Sequence, residues 1–158
     1  MEISERRVVT EGSGVQVSPS PLFIFFMKSN ELKIEINAPV ETVFAFCINP
    51  QNTPKWVKSI MEEKTSTPKV EVGTVFEQKV LDSGFGLKNA ALVVTGFIPN
   101  RQLDFHKVNA SYVCTYFFEK TGAGTRLTYR AEAGFGKEPD LPLGQDALNK
   151  LKSLIEKK

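Results

Sequence analysis

His106 is the one histidine of the chain and the most obvious candidate for proton transfer. It lies in a stretch where the apolar residues Leu103 and Phe105 alternate with Asp104 and His106. Because alternate residues of a strand share a face, we expect His106 to point to solvent with Asp104. A surface histidine is therefore the prediction, and catalysis by His106 is the alternative. With one histidine and no nucleophile motif, the sequence does not support a Ser-His-Asp triad.

The two cysteines, Cys47 and Cys114, lie 67 residues apart and form no CxxC pair. A structural zinc site needs about four nitrogen or sulfur ligands, which is more than two cysteines and one histidine can supply. We therefore expect neither a metal nor another cofactor. Buried free thiols in a reducing cytoplasm are the simpler prediction, and a long-loop disulfide is the alternative.

Length and composition predict one ordinary globular domain. The chain has 158 residues, of which 41% are hydrophobic and 24% are charged. A chain of this length can bury roughly two-thirds of its unfolded surface, so it needs neither a metal nor a disulfide to fold. The net charge of +2 comes from 20 basic and 18 acidic residues. That balance argues against nucleic acid as a partner, since nucleic-acid binders carry clustered lysines and arginines.

Residues 1–27 are predicted to be a weakly structured extension, and residues 28–158 are predicted to form the single domain. Residues 4–20 are polar and have no usable period. The apolar run at residues 21–27 is far shorter than the ~20 residues of a membrane span. The basic pair at residues 6–7 is too distant for an export signal, and no small-residue cleavage site follows the run. We therefore expect a cytoplasmic protein without an integral membrane segment.

Hydrophobic periodicity predicts a strand, two short helices, six further strands and a terminal helix. Residues 32–36 alternate between apolar and polar, as in a half-buried strand. Residues 40–47 carry apolar side chains at helical spacing, and a second short helix starting at Thr53 carries Trp56 and Ile60. The six later strands, rich in Val, Phe, Tyr and Thr, are predicted near residues 61–68, 74–82, 87–97, 102–109, 111–119 and 125–133.

The breaks between the later strands are short and predict antiparallel hairpins, because a parallel crossover needs a dozen or more residues. The Gly-rich break at residues 122–124 is one such hairpin turn and not a phosphate-binding loop. The first strand must join the later ones to bury its apolar side. The terminal helix presents an apolar stripe that includes Leu148 and Leu151. The predicted class is α+β, an antiparallel sheet of about seven strands with helices on one face.

Several stretches, in order along the chain, resemble the START-like or SRPBCC superfamily, which includes birch-pollen-allergen-like proteins and the polyketide cyclase/dehydrase family. They are LKIEINAPVETVF at 32–44, PKW and SI at 54–60, VGT at 72–74, GFIPNRQL at 96–103, GTRLT at 124–128 and LNKLKSLIE at 148–156. The resemblance implies a helix-grip fold, in which a curved sheet wraps around the C-terminal helix and leaves an apolar cavity between them. Members bind lipids, sterols, hormones, quinones or polyketides. Some catalyse cyclisation or dehydration, and others bind client proteins.

The terminal helix departs from the superfamily pattern. It can begin no earlier than about Leu143, because Pro139 and Pro142 precede it. About 15 residues remain, which span ~22 Å at a rise of 1.5 Å per residue. Many members of the superfamily have a longer helix, so the resemblance implies a smaller or more open cavity here.

Within such a fold, the most aromatic strand face is the best candidate for the cavity wall. Tyr112, Tyr116 and Phe118 share that face, and Tyr129 lies on the apolar side of the next strand. Phenols in an otherwise apolar cleft are the orienting groups that a ligand site needs, and ordinary core packing is the alternative. Gln78 lies on an apolar face, where its amide must bond to a ligand, a water or a neighbouring strand. The predicted ligand-binding residues are Phe76, Gln78, Tyr112, Tyr116, Phe118, Tyr129, Leu148 and Leu151.

The leading hypothesis is binding of a small apolar or amphipathic molecule (lipid, quinone or polyketide-like) in that cavity. The first alternative is a cyclase/dehydratase-type enzyme on a polyketide-like substrate, which needs a general acid or base in the cavity. The second is a protein-interaction module for a client protein or a second copy of the chain, favoured by charged residues such as Arg126 and Arg130. The acid–base candidates for an enzyme are His106, Tyr112, Tyr116, Tyr129 and Glu77.

Overall fold

The computed structural model describes residues 28–82, 84, 86–133 and 143–157. The predicted extension at residues 1–27 lies outside the described residues. Within those ranges the elements follow one another as β1 (Lys28–Ile36), α1 (Val40–Ile48), α2 (Thr53–Trp56), β2 (Ile60–Thr65), β3 (Val75–Asp82), β4 (Gly86–Ile98), β5 (Gln102–Lys107), β6 (Val113–Lys120), β7 (Thr125–Ala133) and α3 (Gln145–Glu156). No helix in these ranges combines the length and the apolar character that crossing a bilayer requires.

The strands form one antiparallel sheet in the order β1-β7-β6-β5-β4-β3-β2. Strands β2 to β7 are linked as successive hairpins, and β1 joins the far end by pairing with β7, from Lys28 opposite Ala133 to Ile36 opposite Thr125. The predicted class is therefore confirmed: an α+β helix-grip fold with the element order β-α-α-β6-α.

Alternation divides the sheet into an inner face, which packs against the helices, and an outer face. In β7 the residues Leu127, Tyr129 and Ala131 are buried, whereas Arg126 and Arg130, which belong to the opposite phase, are exposed. Successive side chains of a strand point to opposite faces, so this pattern assigns the apolar residues to the inner face. The inner face carries the hydrophobic core that the described residues form.

The helices close the inner face from one side. In α1 the side chain of Phe44 is buried and its ring meets those of Phe97 and Phe118, with centroids 5.7 and 5.0 Å away. Helix α3 packs against β1, α2 and α1. Its residues Leu148 and Leu151 are fully buried, as the predicted apolar stripe requires. Aromatic and leucine side chains therefore supply most of the contact between helices and sheet.

The end of α3 is tied to β1 by polar contacts. The Asn37 backbone N–H donates to Glu156 Oε2 at 2.6 Å, and Lys152 Nζ donates to the Glu35 carbonyl at 2.9 Å and to Glu156 Oε2 at 2.7 Å. These contacts lower the pKa of Glu156, first through the Asn37 backbone N–H and then through Lys152. The helix is thereby fixed along the β1 edge of the sheet.

A close approach explains the glycine before β7. Gly124 has φ +156°, and a Cβ at this position would lie 2.3 Å from the Ile36 carbonyl oxygen. The next residue, Thr125, donates its hydroxyl to the Ala38 carbonyl at 2.8 Å. The glycine-rich break is thus a hairpin turn between β6 and β7, as predicted, which also brings the chain against the β1–α1 connection.

Several predicted boundaries were wrong by one to four residues, and two of these errors have a local cause. The second helix ends at Trp56 after a single turn, closed by Val57 N–H donating to the Thr53 carbonyl, and Ile60 begins β2 instead of belonging to the helix. The fifth strand stops at Lys107, because Asn109 adopts φ 61° in a turn. Neither error changes the order of the elements.

Candidate ligand-binding site

A row of aromatic rings crosses the inner face from β3 to β7. The rings of Phe76 and Phe105 meet edge to face with centroids 5.1 Å apart, and Phe105 contacts Tyr116 at 6.2 Å. Tyr116 in turn lies 5.3 Å from Tyr129, its directly opposite partner on β7. Edge-to-face contacts of this kind add to the free energy gained by burying the rings. The row forms an apolar floor beneath the helices.

Two tyrosine hydroxyls meet on this floor. The Oη atoms of Tyr112 and Tyr129 are 2.6 Å apart and share a hydrogen bond. Burial, followed by the influence of Cys114, raises the pKa of Tyr112, Tyr116 and Tyr129. All three phenols therefore stay protonated at neutral pH. They can donate and accept hydrogen bonds but are poor bases.

Glu63 is an acidic group on the inner face. Gln78 Nε2 donates to its Oε2 at 2.6 Å, and the Thr53 hydroxyl donates to its Oε1. The carboxyl thus links α2, β2 and β3. Burial raises the pKa of Glu63 even though both hydrogen bonds act to lower it. The charge of Glu63 also contributes to raising the pKa of Tyr116, so the carboxyl acts on the phenol at the centre of the aromatic row.

Sequence reasoning missed Glu63 because of a bulge in β2. The pairing register between β2 and β3 shifts after Ile60, which lies opposite Val80, because Glu62 lies opposite Lys79. Plain alternation from Ile60 would have turned Glu62 inward, but the extra residue exchanges the faces and turns Glu63 inward instead. The acid named from the sequence, Glu77, is exposed and lies on the outer face. As an acid inside the cleft, Glu77 was therefore the wrong choice.

The cysteines and the histidine do not build a reactive centre. Cys47 and Cys114 are free thiols, half-buried and buried, and burial raises the pKa of each to about 12. Both are therefore protonated and weakly nucleophilic at neutral pH. His106 is exposed, and its Nε2 lies 3.1 Å from the Ala110 carbonyl. No cluster of three or more metal-ligating side chains occurs among the described residues.

The eight residues predicted to bind a ligand all lie in or against the core of the inner face. Phe76, Phe118 and Tyr129 are buried, and so are Leu148 and Leu151. Gln78, Tyr112 and Tyr116 are half-buried, so these three side chains already have surface that is accessible to a bound molecule. The amide of Gln78 finds its partner on the neighbouring strand, which was one of the three predicted options. Contact with a ligand remains a prediction for all eight.

A groove of about 820 Å³ lies on the other side of the sheet. Phe117 and Thr128 line it, with the guanidinium of Arg130 stacked 5.2 Å from the centroid of the Phe117 ring. Lys33 and Glu119 also line this groove, which therefore presents charges of both signs. An apolar molecule would leave these charges desolvated, so the groove fits such a ligand poorly.

Comparisons with known proteins agree with this geometry. The family model described as polyketide cyclase / dehydrase and lipid transport matches residues 27–157. The di-domain ARO/CYC StfQ from the steffimycin biosynthetic pathway aligns with TM-score 0.67 and 11% identity, over 85% of this chain and 52% of that one. Ara h 8.0201 aligns with TM-score 0.62 and 12% identity over 82% and 97% of the two chains. A Chromobacterium violaceum protein gives TM-score 0.61 and 19% identity over 82% and 99%. A search of curated proteins found no match.

Proposed function

We propose that this chain, which belongs to the polyketide cyclase/dehydrase and lipid-transport family, binds a small apolar or amphipathic molecule between the inner face of its sheet and its helices. The observation that carries the proposal is the inner face itself. It is an apolar aromatic floor with a few polar groups, which is the composition of a small-molecule site. Lipids, quinones and polyketide-like molecules fit this description.

The polar groups of the floor are suited to orienting a ligand. Tyr116 and Tyr112 are half-buried and keep their protons, so each phenol can bond to an oxygen of the bound molecule. Gln78 is also half-buried, and one of its amide hydrogens is engaged by Glu63. Its remaining hydrogen and its carbonyl oxygen are available for further bonds. Phe76, Phe118, Tyr129, Leu148 and Leu151 form the apolar wall in this proposal.

A cyclase/dehydratase activity is the second candidate, and Glu63 is the observation that favours it. Burial raises its pKa, and its carboxyl faces the interior of the fold, where Thr53 and Gln78 hold it. A carboxyl with a raised pKa is a better general base and could exchange a proton with a bound substrate. Replacement of Glu63 by Gln separates the two functions. An enzyme would lose about 10²–10⁴-fold in turnover, whereas a binding protein would keep its ligand.

An interaction module is supported less well. Arg126 on the outer face is paired with Glu35 at 2.6 Å and with Glu119 at 3.6 Å, and Arg130 is paired with Glu31 at 3.7 Å. These arginines already have partners within the sheet. A client protein or a second copy of the chain would have to compete with them.

The proposal also includes residues 28–158 as the binding domain, residues 1–27 as an extension and a cytoplasmic location.

Native mass spectrometry tests the proposal most simply. Protein purified without detergent should carry a co-purified small molecule, or should gain the mass of one member when mixed with a panel of lipids and quinones. The bound mass should be lost on denaturation, since the complex is not covalent. A chain without any adduct, and without a shift on the whole panel, would contradict binding and favour the interaction module.

A further inference from the structure

The indole of Trp56 stands out on the inner face. Its side chain is buried, at 4% exposure, and its Nε1–H is the buried side-chain polar atom without a hydrogen-bond partner among the described residues. An indole N–H can only donate, and a buried donor without an acceptor is destabilising. Buried polar groups in native proteins are nearly always bonded, so this donor calls for an acceptor.

The surroundings of Trp56 define which acceptor fits. Thr53 lies three residues earlier in α2, and residues three apart share a helix face. Thr53 donates to Glu63, which Gln78 also bonds. Burial and these two neutral hydrogen bonds are the influences on the Glu63 pKa, and no cation is among them. Among the described residues, the charged groups near this end of the inner face are then Glu63 and the ion pair of Lys88 with Asp82, which is neutral overall.

The cations of the described strands are ion-paired, face outward as Lys64 does opposite Glu77, or lie at strand ends. Lys88 on β4 is ion-paired with Asp82 at 2.6 Å. Lys107 is half-buried and is the last residue of β5. Lys107 faces inward opposite Leu92, but it lies on β5, three strands away from Glu63 on β2. An anionic head group placed at Trp56 would thus be desolvated next to Glu63, which is unfavourable for two like charges.

Resting on the proposed binding function, we infer that the α2 end of the cleft is a subsite for a neutral acceptor oxygen, with Trp56 Nε1–H as its donor. The ligand is then an apolar molecule that carries a ketone or quinone-type carbonyl. A fatty-acid anion is disfavoured by Glu63. The aromatic row beyond Tyr116 would hold the apolar body of the same molecule.

The single tryptophan gives this subsite its own signal. Because the chain contains one Trp, the ¹⁵N-labelled full chain has one indole N–H cross-peak in a proton–nitrogen correlation spectrum. Saturation with 2-dodecanone should move that proton downfield, as a new hydrogen bond does. Dodecanoate, with the same chain length but a carboxylate head, should bind at least about tenfold more weakly at pH 8.

Displacement of the neutral fluorophore N-phenyl-1-naphthylamine measures both affinities and is the control for the binding function. Trp56→Phe should weaken the binding of 2-dodecanone by up to about tenfold relative to that of the fluorophore, because the aromatic ring is kept and the donor is lost. Glu63→Gln should strengthen the binding of dodecanoate relative to that of 2-dodecanone. The wild-type indole signal needs no variant, so a poorly folded Trp56→Phe protein leaves the test intact.

The results that would overturn the subsite are distinct from those that would overturn binding. If 2-dodecanone displaces the fluorophore without moving the indole signal, or if dodecanoate binds as tightly, the acceptor subsite is wrong while the cleft still binds ligands. If the fluorophore binds and the ketone does not, the subsite is equally overturned. If neither fluorophore nor ketone binds, the proposed function fails, and the subsite fails with it.

Discussion

The two ends of the inner face are filled in different ways. At the α3 side, formed by β1, β7 and α3, the interior is apolar and closed: Leu127, Leu148 and Leu151 are each 0% exposed. At the α2 side, formed by α2, β2 and β3, the half-buried side chains Glu63 and Gln78 bond to each other. Closed apolar packing stabilises a fold, whereas half-buried polar groups bring desolvation costs that a fold alone does not require. In the proposed function, the α3 side therefore supplies stability and apolar wall, and the α2 side supplies the polar groups that recognise the ligand.

The largest expected effect is on the α3 side. Leu151→Ala should lower the free energy of unfolding by about 2–5 kcal/mol, because a fully buried leucine leaves a cavity that its neighbours refill only in part. Lys150→Ala is the matched control on the exposed face of the same helix and should change stability by less than about 0.5 kcal/mol. Urea denaturation measures both. Equal decreases in the free energy of unfolding for the two variants would contradict the claim that the apolar stripe holds α3 in place.

A smaller effect is expected where the two sides meet, at the tyrosine pair. Tyr129→Phe removes one partner of the 2.6 Å hydrogen bond to Tyr112 and should cost roughly 0.5–1.5 kcal/mol of stability. Tyr116→Phe keeps its ring contacts and should leave stability nearly unchanged, while ligand affinity falls by up to about tenfold. Thermal unfolding and fluorophore displacement on the same samples separate the two quantities. A Tyr116→Phe protein that is destabilised but binds normally would place Tyr116 with the α3 side.

The α2 side should also respond to pH. Burial raises the folded-state pKa of Glu63 above its ordinary value of 4.5, so the folded chain takes up this proton before the unfolded chain does. As pH falls through the raised pKa toward 4.5, wild type should therefore gain stability relative to Glu63→Gln, which cannot ionise. The difference between the two proteins should be largest at neutral pH. Paired denaturation curves at pH 7 and pH 4.5 check the sign, and a difference independent of pH would mean that Glu63 is as well solvated folded as unfolded.

Most of the fold could be predicted from sequence, because local patterns determined it. Alternation in residues 32–36 and 125–133 identified strands that pair with each other, and short breaks required hairpins. The same alternation placed Tyr112, Tyr116 and Tyr129 on the inner face. It failed at Glu63, since a single inserted residue in β2 reverses the phase and leaves no local mark in the sequence.

The unpartnered indole N–H of Trp56 could not be predicted from the sequence, for a different reason. A tryptophan at the end of a short helix predicts a packing anchor, which Trp56 is, but whether its N–H finds an acceptor depends on residues distant in sequence. The partner of Gln78 was likewise one of three options until β2 and β3 were aligned. Polar contacts across elements therefore needed the structure, whereas apolar faces did not.

The central claim, that the inner face of the sheet and not its outer face holds the ligand, can be tested with two adjacent alanines of β4. Ala90 pairs with Gln78 and faces inward, whereas Ala91 pairs with Glu77 and faces outward. Phenylalanine at position 90 adds a ring inside the cleft, and phenylalanine at position 91 adds the same ring outside it.

Measured as the dissociation constant of N-phenyl-1-naphthylamine, Ala90→Phe should weaken binding by about tenfold or more, and Ala91→Phe should change it by less than about twofold. Both variants should unfold cooperatively, which verifies that each is folded. A loss of binding in Ala91→Phe alone, or no loss in either variant, would contradict the account.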